Sequence, residues 1–350
     1  MKILITGASG FVGSFLVEHA LAEGFDTWAA MRRTSSRQYL TDPRTQFIEL
    51  DLGNDARLQD QLRQHVAEHG AFDCVIHAAG ATKAPSEAAF RKVNAEGTER
   101  LARLLLQTGA LVPQGRFVFV SSLSVMGAAL EAPLCDAKGR PLPGAERYRP
   151  VSADDVPQPN TAYGRSKLEA ERLLAAIEGL NYVVLRPTGV YGPRERDYFM
   201  MAQSIRNHTD FSVGYKPQDI TFVYVLDVVQ AVFLALEHGK DGRKYFLSDG
   251  YVYSSRTFSD LLIKEMGSPW VLRIKAPIWL LRIITFCGEY IGRMTGKISA
   301  LNNDKYNIMK QRNWRCDISP AERELGYKPQ YDLEKGVALA VKWYRENGWL

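Results

Sequence analysis

The chain has little of what marks several common protein classes. Its 350 residues include four cysteines (Cys74, Cys135, Cys287 and Cys316), scattered and without Cys-x-x-Cys or metal-ligand spacing. Neither a disulfide framework nor a metal centre is expected, and a reducing compartment suits them. No basic run is interleaved with aromatics, and the formal charge of +5, from 44 basic against 39 acidic residues, is too diffuse to call for nucleic acid. No stretch reaches the roughly 18 uninterrupted apolar residues of a spanning helix. The opening "MKILITGASG" lacks an apolar signal core with a cleavage site, so a cytoplasmic location is the expectation. No internal repeat is found. At 46% hydrophobic and 24% charged residues, the balance is globular.

What is present is alternation. "KILIT", "TWAAM", "CVIHAA", "RFVFVSS" and "YVVLRP" read as short strands, and helical patterns such as "ARLQDQLRQHVAEH" and "AEGTERLARLLLQTG" lie between them. Strands alternating with helices of this length form βαβ units, predicting an α/β fold with a doubly wound parallel sheet. The Pro- and Gly-rich stretch 128–160 reads as a long active-site loop. After Pro187 the alternation weakens, although "TFVYVLDVVQAVFLALEHG" looks like a return to the sheet. The expected organisation is a nucleotide-binding domain over 1–187, with 220–248 returning to it. Residues 188–219 and 249–350 then form a smaller, mostly helical substrate lobe.

"TGASGFVG" follows the first strand and opens the first helix, with Gly7, Gly10 and Gly13 in a Gly-x-x-Gly-x-x-Gly spacing. Small residues there let the backbone approach a pyrophosphate at the helix N-terminus, where free N–H groups and the helix dipole favour anions. Thr6, Ser9, Phe11 and Val12 share the turn. The second strand ends in "WAAMRRTSS" and offers Arg32 and Arg33 in place of a ribose-binding carboxylate. An arginine pairs bidentately with a 2′-phosphate, which favours NADP over NAD; a solvated loop charge is the alternative. Asp51, followed by Leu52, ends the third strand, where it can accept from adenine N6. "HAAG" ends the fourth with Ala78, Ala79 and Gly80, and His77 reads more readily as a packed strand residue than as a base. Ser121, Ser122 and Ser124 sit at the end of the fifth, where ligands bind such sheets, though serines there also serve as caps. In "YGRSK", Tyr163 and Lys167 are i and i+4 on one helix face.

Together the glycine turn, "HAAG", Asn94 in "VNAEGT", "SSLSVMG", "YGRSK", "RPTGVYGP" and "FVYVLDVVQA" resemble, in order, the extended short-chain dehydrogenases/reductases, the NAD-dependent epimerase/dehydratase superfamily. The likeness is close over about residues 1–235. The basic turn and "RNWRCDISPAERELGYKP" look more like its dihydroflavonol-reductase and 3β-hydroxysteroid-dehydrogenase branch than its UDP-galactose epimerase branch. The resemblance implies a Rossmann-type fold. It makes Tyr163 the proton-exchanging residue, Lys167 the residue that holds the ribose and lowers the tyrosine pKa, and Ser122 the substrate-orienting hydroxyl. Asn94 then supports the cofactor side and Pro187 passes the nicotinamide. Taking a tyrosine from near 10 to about 7 needs ~4 kcal/mol, and one ammonium at ~4 Å with an effective dielectric near 20 supplies ~4 kcal/mol.

Two departures bear on substrate. The adjacent Asp-Glu pair of the family's dehydratases is Leu123-Ser124 here, which argues against 4,6-dehydration. The usual tyrosine of "VYG" is Met126, which favours an apolar substrate. Ser124, Met126 and Arg194 are substrate candidates. The leading expectation is an NAD(P)-dependent oxidoreductase acting on a secondary alcohol or ketone, a lipophilic one included. An NDP-sugar epimerase is second; Arg194, Arg196, Arg256 and Lys216 would meet its diphosphate. A non-catalytic nucleotide sensor is third. The resemblance also implies a homodimer through the helices of "AEGTERLARLLL" and "YGRSKLEAERLL". Finally, "APIWLLRIITFCGEYIGRM" (276–294) is apolar apart from a stripe of Arg282, Glu289 and Arg293. Such a stretch is most often a core helix; the alternative is a helix on a membrane surface or facing a greasy substrate, centred on 276–288.

Overall fold

The computed structural model describes residues 1–295 and 303–350. Chain order is β1 (Lys2–Thr6), α1 (Phe11–Ala22), β2 (Asp26–Met31), β3 (Gln46–Glu49), α2 (Asp55–His69) and β4 (Phe72–His77). Then come α3 (Glu87–Phe90), a π-helical turn (Arg91–Glu96), α4 (Gly97–Gln107), β5 (Leu111–Val120), α5 (Ala162–Ala175) and β6 (Asn181–Pro187). Next are β7 (Gly189–Tyr191), α6 (Phe199–Arg206), β8 (Thr209–Val213), β9 (Phe222–Tyr224), α7 (Val225–His238) and β10 (Lys244–Leu247). The chain finishes with α8 (Thr257–Glu265), β11 (Leu272–Ala276), α9 (Ile278–Thr295), α10 (Asn303–Lys310), α11 (Ser319–Leu325) and α12 (Leu333–Glu346).

Seven strands form one parallel sheet in the order β10-β6-β5-β4-β1-β2-β3. Side chains alternate across a strand, and both faces here are apolar, as covered parallel sheets require. Ile3 and Ile5 of β1 enter a layer with Leu16 and Val17 of α1, Val232 of α7 and Leu325 of α11. Leu4 enters the opposite layer with Leu62 of α2, Leu101 of α4 and Leu174 of α5. The strand order reverses between β1 and β4, so a crevice opens at their carboxyl ends, the place where such sheets bind ligands.

The second lobe differs in one respect from expectation. The run "TFVYV" does not rejoin the large sheet: β9 pairs with β7, Gly189 beside Phe222 and Tyr191 beside Tyr224. The return is made by α7 and β10, the latter alongside β6. A second parallel ribbon joins β8 to β11. The lobe core gathers Tyr191, Phe199, Phe258, Val337 and Tyr344, and Phe11, Val12 and Phe15 of α1 pack against it. The long loop 128–160 is clipped to the late "RNWRC" segment: Asn313 donates to the Leu130 and Arg149 carbonyls (3.1 and 2.9 Å), and Val151 pairs with Cys316.

Candidate active site

The glycine turn is built by close packing. Gly7 has φ +71°, and a Cβ there would lie 2.7 Å from Ala78 and Ala79 backbone atoms; one at Gly13 would lie 2.0 Å from the Gly7 carbonyl. Only glycine lets α1 seat this close to β4. At its N-terminus α1 has Gly10 as cap, no side-chain cap bond and no acidic residue in the first turn. The N–H groups of that turn thus face no competing carboxylate, and the site fits a dinucleotide pyrophosphate.

Beneath the turn, buried polar groups are paired. Thr6 donates to His77 Nδ1 (2.7 Å), and His77 Nε2 meets the Thr98 hydroxyl (2.9 Å), which donates to the Asn94 carbonyl (2.6 Å). This chain assigns His77 the Nε2–H tautomer. Burial, with the Lys167 charge adding to it, pushes its pKa down to about 3. His77 is therefore a neutral brace between β1, β4 and α4. Asn94, held in the π-helical turn, accepts from the Ala81 N–H (2.7 Å) and donates to the Ala81 carbonyl (3.0 Å) and to Ser166 Oγ (3.0 Å). Ser166 in turn donates to the Tyr163 carbonyl (2.8 Å). The loop after β4 and α5 are thereby tied, and a Cβ on Gly80 would lie 3.2 Å from Lys167 Nζ.

Ser122 and Tyr163 meet at the end of β5, close enough for the Ser122 hydroxyl to act on the phenol. Ser122 accepts from the Ser124 N–H and donates to Ser124 Oγ, both at 3.1 Å, so Ser124 stands beside the pair. Lys167 Nζ donates to the Val120 carbonyl (2.9 Å) and lies 4.7 Å over the Phe119 ring. Burial lowers the Lys167 pKa to about 8, opposed by Glu171. Burial raises Tyr163 to about 12, opposed by Ser122. In this structure burial rather than Lys167 sets the phenol, and the Lys167 ammonium is turned to the Val120 carbonyl and the Phe119 ring.

Three features escaped the sequence reading. Glu171, one turn beyond Lys167, accepts from Ser121 (2.6 Å) and pairs with Arg186 through two bonds (3.0 and 2.6 Å), both side chains buried. Its i+8 spacing from Tyr163 was a readable signal. Asp304 of α10 accepts from the Ala162 and Tyr163 N–H groups (3.0 and 3.3 Å) beside the Thr161 cap on Gly164 (2.9 Å). Asn307 donates to the Asn160 carbonyl (2.8 Å), so α10 is strapped to the turn that carries Tyr163. These last partners lie more than a hundred residues apart in sequence, and no local pattern announces them.

The remaining expected residues are placed as follows. Arg32 and Arg33 are exposed at the end of β2, where the Arg32 N–H donates to Ser35 Oγ (3.3 Å). Asp51 turns back on its own loop, accepting from the Gly53 N–H (3.0 Å), with Arg57 at 3.7 Å. The Leu52 carbonyl accepts from Arg100 (2.8 Å). Pro187 ends β6 beside Leu247. Met126 does not line substrate space: it is buried with Leu123 and Val125, and Arg186 donates to its sulfur (3.6 Å). Arg194 is likewise committed elsewhere, bound to Ser14 (2.9 Å) and Glu18 (2.6 Å) of α1 and stacked on Phe15 and Tyr39. Arg256 is held by Asp210 and by Ser212 (3.2 Å). The Glu289 and Arg293 side chains of the 276–294 stripe lie outside the described residues. Among the described residues no cluster of His, Cys, Asp and Glu is arranged to hold a metal, and no helix is long and apolar enough to cross a membrane.

The geometry can be set beside known proteins. UDP-glucose 4-epimerase of Vibrio cholerae is 26% identical over 343 residues, covering 96% of this chain and 93% of that one. A 4-hydroxy-2-methyl-3-oxo-4-farnesyl-3,4-dihydroquinoline-1-oxide ketoreductase of Stigmatella aurantiaca is 26% identical over 349 residues, covering 96% and 95%. Among solved structures, dTDP-glucose 4,6-dehydratase of Streptomyces venezuelae, with NAD bound, superposes with a TM-score of 0.75 at 23% identity, covering 100% of this chain and 98% of that one. That likeness is one of fold. Residues 3–247, the sheet with its glycine turn, serine segment and Tyr-Lys helix, match the NAD dependent epimerase/dehydratase family, and the chain belongs to that family of extended short-chain dehydrogenases/reductases.

Proposed function

We propose that the protein is an NADP-linked reductase of a lipophilic ketone, forming a secondary alcohol. The observation that carries this reading is the meeting of Ser122, Tyr163 and Lys167 at the end of β5, in a buried setting. With its pKa pushed up to about 12, Tyr163 at neutral pH is a proton donor, the role that carbonyl reduction asks of it. Ser122 orients the carbonyl oxygen. The glycine turn, Asp51, Asn94 and Lys167 hold the dinucleotide, and Arg32, with no carboxylate from Met31 to Tyr39, takes the 2′-phosphate. The bound cofactor supplies the hydride. Lys167, charged below its pKa of about 8, holds the ribose and favours the phenolate left after proton transfer.

A nucleotide-sugar epimerase is the second reading, favoured by the likeness to the Vibrio cholerae enzyme. It needs cations for a diphosphate, and two of the four considered, Arg194 and Arg256, are bound to Glu18 and Asp210. The Stigmatella aurantiaca relative reduces a farnesylated ketone, which accords with the first. The proposal includes a homodimer through α4 and α5, read by sedimentation at assay concentration. The test of function is a panel of hydrophobic ketones assayed with NADPH and NADH, using the wild type and Tyr163→Phe. Loss of the acid should cost about 10²–10⁴-fold in kcat with nucleotide binding retained. Retained turnover, or tight NAD released only on denaturation, would reverse the assignment.

A further inference from the structure

The outer face of the second lobe is apolar where a water-facing surface would be polar. In the β8–β11 ribbon, Asp210 pairs with Arg273 in register and Phe211 with Ile274. Residues opposite one another point to the same side. Asp210 is buried and bound to Arg256, so the polar side turns into the lobe and Phe211, Leu272 and Ile274 share the other. Next in the chain, α9 repeats the arrangement: Trp279, Ile283 and Phe286, at i, i+4 and i+7, are exposed, while Leu281 and Thr285 are buried. A Cβ on Gly214 at the end of β8 would lie 3.2 Å from Ile278, so helix and ribbon form one continuous face. Phe211, Trp270, Leu272, Trp279, Ile283 and Phe286 on it are between 51% and 73% exposed.

Charge identifies the partner. Residues 270–288 carry Arg273, Lys275 and Arg282 and no acidic residue. The nearby Asp260 is bound to Arg273 (2.6 Å), and Asp210 to Arg256. Lys275, Arg282 and Lys216 are exposed, with Lys275 5.0 Å over the Tyr215 ring. We propose that this face seats the protein on an anionic lipid bilayer, aromatics in the headgroup boundary and basic side chains on the phosphates. A second copy meeting the face across a two-fold axis would set Lys275 and Arg282 against their own counterparts. A cavity of about 470 Å³ opens on this face, lined by Arg282, Ile283, Thr285, Phe286 and Asn303. Asn303 precedes Asp304, which bonds the backbone of Tyr163.

The test is flotation of the full chain with vesicles of phosphatidylcholine alone and of phosphatidylcholine with phosphatidylglycerol. The wild type should rise with the anionic vesicles and lose binding as salt is raised. Trp279→Glu with Phe286→Glu should reduce it by tenfold or more, and Lys275→Gln and Arg282→Gln by about fivefold each. Circular dichroism and nucleotide binding should be unchanged in all of them, which separates loss of docking from loss of fold. Absence of flotation by the wild type overturns the proposal, as do variants that float equally well. A dimer split by the Glu substitutions, without flotation, also overturns it by assigning the face to a second copy. Since the readout is binding, failure here leaves the reductase reading standing.

Discussion

Glu171 lies two turns along α5 from Tyr163 and one from Lys167, on the same face of the helix. Its carboxylate receives Ser121, Arg186 and, at 4.0 Å, Lys244, and its charge holds the Lys167 pKa above where burial alone would put it. Glu171→Gln should therefore act twice. Breaking one side of a buried ion pair costs about 3–5 kcal/mol, read as a lowered unfolding midpoint. The Lys167 pKa should also fall further, so the alkaline decline in kcat/KM, set in the wild type by a group at about 8, moves to lower pH. A lowered midpoint with an unmoved decline would limit Glu171 to packing. Met126 and Arg194 show why single residues are hard to read from sequence. A methionine near a serine motif and an arginine in a loop carry no local sign of burial, and their partners, Arg186 and Glu18, are 60 and 176 residues away.

Among the elements, α10 is the one fastened to the start of α5 from far along the chain. Asp304 and Asn307 fasten eight residues to the turn at the start of α5. Removing both with Asp304→Ala and Asn307→Ala should speed amide exchange across 303–310 and lower kcat/KM, leaving nucleotide affinity intact. Unchanged exchange would show that other contacts seat the helix. The strands of the large sheet were legible because buried parallel strands write themselves as short β-branched and aromatic runs between helical periods. The β9 segment carries the same kind of run, yet it pairs with β7, because a run of apolar residues specifies a strand and not its neighbour. The π-helical turn that presents Asn94 leaves no such pattern, since its extra residue per turn is set by packing on α5. The glycine turn and the Tyr-Lys spacing were legible for the opposite reason: their geometry is local.

At the scale of the whole molecule, the buried histidines set an acid limit. His77 is pushed down to about 3 and His65 to about 4 by burial, from an unfolded value near 6.5. Each folded pKa lies below the unfolded one, so the unfolded chain binds more protons in between. Stability from these groups is complete above about 6.5 and is lost as pH falls toward the folded values. Asp249, raised to about 6 by burial, acts in the opposite sense below that pH. The unfolding temperature should start to fall just under pH 6.5, and a flat profile from pH 7 to 5 would remove the histidines as its cause. The order of the chain adds a consequence for synthesis. All seven strands of the large sheet are made by Leu247, while the strap on Tyr163 comes from residues 304–307. A nascent chain emerging from the ribosome thus carries all seven strands before it carries either the strap on Tyr163 or α11, which covers one face of the sheet. Translation itself then sets the order in which the sheet's strands, the strap at Tyr163 and the cover of the sheet become available.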